Sequence, residues 1–196
     1  LRFHDVTDGS ITLNGTDIRD MTQQYLRDHL GYVQQKAWLF SGTIADNLRY
    51  SRPKASADEL MHAAGVAQAG DFIRSLPDGL HAYVAQGGTN FSGGQKQRLS
   101  IARALVKKPE LYIFDDSFSA LDFKTDAALR KALAKETGDA AVLIIAQRVS
   151  SIRHANQIVV LHDGRMAGIG THEELMATCK VYQEIYESQT KEAKEA

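Results

Sequence analysis

Two short stretches of this chain carry residue types that handle phosphate and metal. Asn90-Phe91-Ser92-Gly93-Gly94-Gln95-Lys96-Gln97-Arg98 has a serine and two glycines where a helix begins, with Leu99, Ala102 and Leu105 continuing an apolar face. The first amides of a helix have no intrahelical acceptor, and the helix dipole adds positive potential there. Glycine lets an anion come close to that backbone. Leu111-Tyr112-Ile113-Phe114 is an apolar strand that runs into Asp115 and Asp116. A carboxylate at such a strand end can hold a divalent metal that bridges phosphate oxygens, and its neighbour can orient a water. Taken alone, Ser-Gly-Gly is also an ordinary helix cap and Asp an ordinary turn cap. Together they read as an anion site and a metal site, the two halves of a polyphosphate-handling apparatus.

The elements that must position these groups follow from the pattern around them. Ser10 to Leu13 alternates and meets the turn Asn14-Gly15, giving a short strand and a hairpin. A Thr22 cap opens a helix to Leu30, and a second strand covers 31–35. Trp38-Leu39-Phe40 lies in the following loop, where no burial is evident from the sequence. Between 45 and 108 strand signals vanish, and helical pieces at 45–50, 57–67 and 71–76 are separated by Pro53, Gly70 and Pro77-Asp78-Gly79. After Pro109 strands at 111–114, 141–146 and 157–161 alternate with a helix at 125–136, and Thr171 to Glu174 forms a capping box before two last helices. Apolar strands interleaved with helices predict an α/β fold whose parallel sheet is covered on both faces.

The two motifs resemble the signature and Walker B motifs of ATP-binding cassette (ABC) transporters, and the likeness extends from Leu1 to about Glu187. The resemblance implies a P-loop NTPase-like, mostly parallel core with an inserted helical subdomain. It divides the chain into core residues 1–44, helical residues 45–108, core residues 109–190 and a frayed tail at 191–196. It also implies ATP and Mg²⁺ as cofactors. Ser92, Gly93, Gly94 and Gln95 would touch an ATP held by a second nucleotide-binding domain. Asp115 and Gln35 would reach the metal. Ser119-Ala120-Leu121-Asp122 matches the D-loop, which places Asp122 at the interface with that second domain. Lys36 to Ile44, with Trp38 and Phe40, looks like the segment that meets the coupling helices of an exporter's transmembrane domain; a clip onto its own subdomain is the plainer alternative. Gln86-Gly87-Gly88 resembles the exporter-specific loop, with Gln86-Gly87 in place of its usual Glu-Arg. The expected location is the cytoplasmic face of the cell membrane, within a larger transporter.

Two positions depart from the family pattern at the catalytic centre. Asp116 stands where the family has Glu, and is one methylene shorter, so its oxygens fall back by roughly 1 Å. Gln147 stands where the family has a histidine, and an amide carries neither positive charge nor a mobile proton at neutral pH. Together they imply the slow half of a heterodimeric exporter, whose own site holds ATP while its signature serves a non-identical partner.

The remaining composition narrows the alternatives. Lys and Arg total 23 against 24 Asp and Glu, which offers no basic field for nucleic acid. The lone Cys179 cannot make an internal disulfide. The longest apolar run, 140–146, is too short to span a bilayer. The chain opens on Leu1 and contains no Gly-Lys pair, so the Walker A loop is expected upstream in a longer parent and ATP binding by these residues alone is expected to be weak. Residues 36–91 leave no room for the long coiled coil of repair and chromosome-organising ATPases, and Pro53 and Pro77 break any heptad. An importer ATPase made as a separate subunit remains the other reading, beside a purely regulatory module.

Overall fold

The computed structural model describes residues 1–190 in full and the backbone of 191–195. The tail expected at 191–196 lies outside the fully described residues. The chain forms two compact units, Leu1–Ile145 and Ala146–Ala196.

In the first unit, β1 (Thr12–Leu13) and β2 (Thr16–Asp17) form the expected hairpin. Its turn residues Asn14 and Gly15 both have left-handed φ, which these residue types tolerate best. Helix α1 (Gln23–Asp28) is capped by Thr22, whose Oγ1 accepts the Tyr25 amide. It ends earlier than its periodicity predicts. Leu30 instead opens β3 (Leu30–Val33), because pairing with a buried neighbouring strand outweighs helix propensity.

Next come β4 (Gly42–Thr43), α2 (Ile44–Arg49), α3 (Ala57–Val66), α4 (Gly70–Ser75) and β5 (Tyr83–Val84). β5, paired with β4, corrects the expectation of no strands between 45 and 108. Two residues per strand are too few to leave a periodic signal. Helix α5 (Gly93–Lys107) is the centre of the unit: Leu99, Ile101, Ala102 and Leu105 are buried against α2, α3 and β3.

β6 (Leu111–Asp115) is followed by α6 (Phe123–Glu136) and β7 (Ala141–Ile145). The strands lie in the order β3-β6-β7, all parallel. Leu30 pairs with Leu111 and Val33 with Phe114, so β3 and β6 finish side by side. That register places the residues after Val33 next to Asp115 and Asp116 at one sheet edge, where open α/β sheets place ligands. Coverage on both faces is not what β7 shows. Val142, Leu143 and Ile145 are exposed, as fits an edge strand paired only with β6 among the described residues.

The second unit contains α7 (Val149–Ile152), β8 (Ile158–His162), β9 (Arg165–Gly170), α8 (His172–Thr178) and α9 (Lys180–Glu195). β8 turns at Asp163-Gly164 and pairs antiparallel with β9, so it does not extend the parallel sheet as its apolar run suggested. The Thr171–Glu174 capping box is present. Val149, Ile158, Val160, Leu175, Cys179 and Tyr182 make this unit's own core.

Candidate nucleotide site and partner-facing rim

At the sheet edge three sequence-predicted residues come together. The Gln35 amide nitrogen donates to Asp116 Oδ2 at 3.1 Å, and Tyr32 donates its hydroxyl to Asp115 Oδ2 at 2.9 Å. Burial, and then the Asp115 carboxylate, push the Tyr32 phenol above its usual range, so it remains a donor. Asp116 has a left-handed backbone, φ 44°, which an aspartate adopts more readily than a branched residue. Its amide donates to Ile145 O at 2.9 Å and its carbonyl accepts Ser119 Oγ at 2.8 Å. Buried Ser117 ties the strand ends together, donating to Val33 O at 3.0 Å. The carboxylates therefore stand on a fixed backbone.

The start of α5 shows what its serine and glycines do locally. Ser92 Oγ accepts the Gln95 amide at 3.2 Å, and Gln95 Oε1 accepts the Ser92 amide at 2.9 Å. This capping box engages both side chains with the helix itself. Gly93 and Gly94 occupy the positions whose amides have no intrahelical acceptor. A Cβ on Gly94 would stand 3.5 Å from Ala120 O, so the helix start lies against the loop that follows the carboxylates. Asp122 in that loop caps α6, accepting the Thr125 amide at 3.0 Å and its hydroxyl at 2.7 Å. The Thr125 amide, first, and its hydroxyl hold the Asp122 carboxyl below the ordinary range.

Helix α5 also grips the loop after β3 from two points. Gln97, only 2% exposed, donates to Gln34 O at 3.2 Å, and Arg103 donates to Trp38 O at 3.0 Å. Between those points lies Gln35. Trp38 and Phe40 are exposed, at 51% and 43%, whereas Leu39 between them is fully buried. The sequence offered no burial for this triplet; the Gly87-Gly88 loop supplies it. Both glycines have left-handed φ, the Gly87 amide donates to Leu39 O at 2.9 Å, and a Cβ on Gly88 would fall 3.0 Å from Leu39 Cδ1. Asn47 clamps the loop's far side, accepting the Phe40 amide and donating to the carbonyls of Phe40 and Thr43.

Gln147 is placed in the second unit, where its carbonyl accepts the Gln189 amide at 2.7 Å and Gln189 Oε1 takes the Val149 amide.

A model of the family described as ABC transporter matches residues 1–119. The chain belongs to the ABC transporter family. An uncharacterized ABC transporter ATP-binding protein of Mycobacterium tuberculosis is 45% identical over 96% of this chain and 33% of its own length. YgaD of Bacillus subtilis, provisionally named a multidrug export ATP-binding/permease protein, is 42% identical over 94% of this chain and 32% of itself. The structure of a bacterial Atm1-family ABC exporter with ATP bound superposes with a TM-score of 0.93 at 39% identity, covering 96% of this chain and 33% of that one. The chain thus spans about a third of the length of these relatives, and its α/β fold is that of the ATPase domain of the family. No helix among its described residues is long and apolar enough to cross a membrane.

Three residues of this ABC domain escape a reading of motifs alone, Tyr32, Asn47 and Arg103, and so does the buried contact of Gln97, which lies inside the first motif. Each is a polar group on a strand or helix otherwise rich in buried apolar residues. That pattern is the signal that could have found Gln97, since a buried amide must be hydrogen-bonded. The oxygen donors of Gln35, Asp115 and Asp116 suit a hard divalent cation. No cluster of three or more His, Cys, Asp or Glu with metal-binding geometry occurs among the described residues, so phosphate and water would have to complete a Mg²⁺ shell.

Proposed function

We propose that this domain binds and hydrolyses ATP for an exporter, coupling dimerisation of two nucleotide-binding domains to transport. The observation that carries the reading is the parallel register that sets Gln35 against Asp116 beside Asp115. In this reading Asp115 and Gln35 hold Mg²⁺, which neutralises phosphate charge when bound. Asp116 orients the attacking water from a position about 1 Å too far back, and Gln147 replaces a charged group with a neutral amide. The domain's own site is therefore slow. Gly93 and Gly94 offer their amides, on a cap built by Ser92 and Gln95, to an ATP held by a second, non-identical domain. Asp122 shapes the loop facing that partner. Trp38 and Phe40 meet the coupling helices of a transmembrane domain, which places this domain at the cytoplasmic membrane face. Residues 1–196 alone hold ATP more weakly than a chain that includes a Walker A lysine.

The test is Gly94→Asp in the full-length protein assembled with its partner. A carboxylate at this anion site repels the partner's triphosphate, so ATPase activity falls by roughly a hundredfold. Photolabelling of the variant's own half by an azido-ATP persists. Wild-type activity in the variant would remove the reading.

A further inference from the structure

Helix α9 carries an apolar stripe that ends on a polar residue. Tyr182 is buried, Tyr186 packs against the same core four residues on, and Gln189 follows three residues later, so the three share one helix face. An amide in that position needs partners, and Gln189 finds two on the main chain around α7. Its Oε1 accepts the Val149 amide at 2.9 Å and its Nε2 donates to the Gln147 carbonyl at 2.7 Å. A carbonyl can only accept and a main-chain N–H can only donate, so these partners fix which way the Gln189 amide points.

The two bonds fall on either side of Arg148. That residue is extended, φ −93° and ψ 121°, which turns the carbonyl before it and the amide after it to one side, as in a strand. Val149 opens α7, whose first amides need acceptors from outside the helix, and the Arg148 side chain in the cap position carries donors only. The Gln189 oxygen therefore caps α7 from another helix. Capping requires nothing of the Gln189 nitrogen, which instead pins the peptide that leaves Gln147. Because that peptide is planar, holding its carbonyl restricts ψ of Gln147 and with it the direction of the Cα–Cβ bond. Helix α9 is itself moored at its start, where Gln183 donates to Met176 O at 2.7 Å and the Tyr182 hydroxyl lies 2.9 Å from His172 Nδ1.

We propose that Gln189 is a positioning residue for Gln147: through one amide, α9 sets the main chain from which the Gln147 side chain projects. The inference rests on the reading of Gln147 as the residue at the family's switch position, and it adds the group that aims it. A shift of α9 is thereby felt at residue 147.

The experiment uses the full-length protein assembled with its partner, whose own hydrolytic site is disabled, and measures single-turnover phosphate release at saturating ATP. Gln147→His restores a side chain that can carry charge and is expected to raise the rate on the order of tenfold. Both Gln189 bonds go to main-chain atoms, so they survive that change. Gln189→Glu keeps the oxygen that caps α7 but sets a carboxylate against the Gln147 carbonyl. Added to Gln147→His, it should return the rate to within about twofold of wild type, with the ATP concentration for half-maximal rate changed by less than about threefold. The melting point should stay within about 2 °C. Gln189→Met, which loses both bonds, should lose the gain and also melt earlier. Gln183→Ala loosens α9 at its start without touching the clasp, so it should melt earlier yet keep the gain. A gain that survives Gln189→Glu or Gln189→Met overturns the positioning role and leaves the switch reading standing. Loss of the gain in Gln183→Ala as well would reduce Gln189 to packing and overturn the role too. If Gln147→His brings no gain, the switch reading falls, and the proposal with it.

Discussion

Restoring one methylene at position 116 is the most direct probe of the catalytic reading. The Asp116 backbone is fixed by its amide on Ile145 O and by Ser119 on its carbonyl. Asp116→Glu therefore moves the carboxylate outward while leaving the main chain where it is. The gain in reach is roughly 1 Å, and a misplacement of that size is worth on the order of a hundredfold in rate, or about 2.7 kcal/mol of activation free energy. The assay is single-turnover phosphate release from the assembled full-length protein, with the partner's own hydrolytic site disabled so that only this site contributes. The expected result is a burst ten to a hundred times faster in the variant. Gln35→Ala in the same background should remove most of that gain, because Gln35 is the side chain bonded to Asp116 at 3.1 Å. A wild-type site that already releases phosphate as fast as Asp116→Glu would refute the idea that reach limits turnover.

Three further outcomes follow from other contacts. Asn47→Ala leaves the Phe40 amide and the Phe40 and Thr43 carbonyls without their partner; a loss of about 2–3 kcal/mol, seen as a melting point lower by roughly 5–10 °C, is expected. Tyr32→Phe removes the hydroxyl donor on Asp115 without changing the ring. It should alter the Mg²⁺ concentration needed for half-maximal ATPase several-fold while leaving the melting point within about 2 °C. The cap that Asp122 makes on α6 is present above its ordinary value of 3.8 and is lost as pH falls through the lowered folded value. A carboxyl-carbon NMR titration of Asp122 should therefore have its midpoint below 3.8, and a midpoint above it would contradict the capping geometry.

Much of this architecture was legible in the residues. The Asn14-Gly15 hairpin, the Ser92 and Thr171 capping boxes and the helices near 44–49 and 57–66 follow from local chemistry that acts over four or five residues. What local chemistry cannot settle is pairing. Leu30 looks helical until β6 offers it a buried neighbour, and β8 looks like a sheet strand until β9 claims it. Leu39 looked stranded because its burial depends on the glycine loop at 87–88, distant in sequence. The site divides the same way. Asp115, Asp116 and the Ser92–Gln95 helix start announce themselves by type and spacing. Tyr32, Gln97 and Arg103 do not, since each works by reaching across to a backbone or side chain in another element.

Helix α5 holds the strip from Gln34 to Trp38 by two carbonyls, one near each end. Three peptide units separate Gln35 from Trp38, so the two can be drawn at most about 10 Å apart. A tug on the aromatic end that exceeds the strip's slack must then either reach the glutamine or break a clasp made by the helix. Mechanical timing in such a part would come from the length of the strip rather than from a hinge. Lengthening the strip by a single inserted glycine should let one end move without the other noticing.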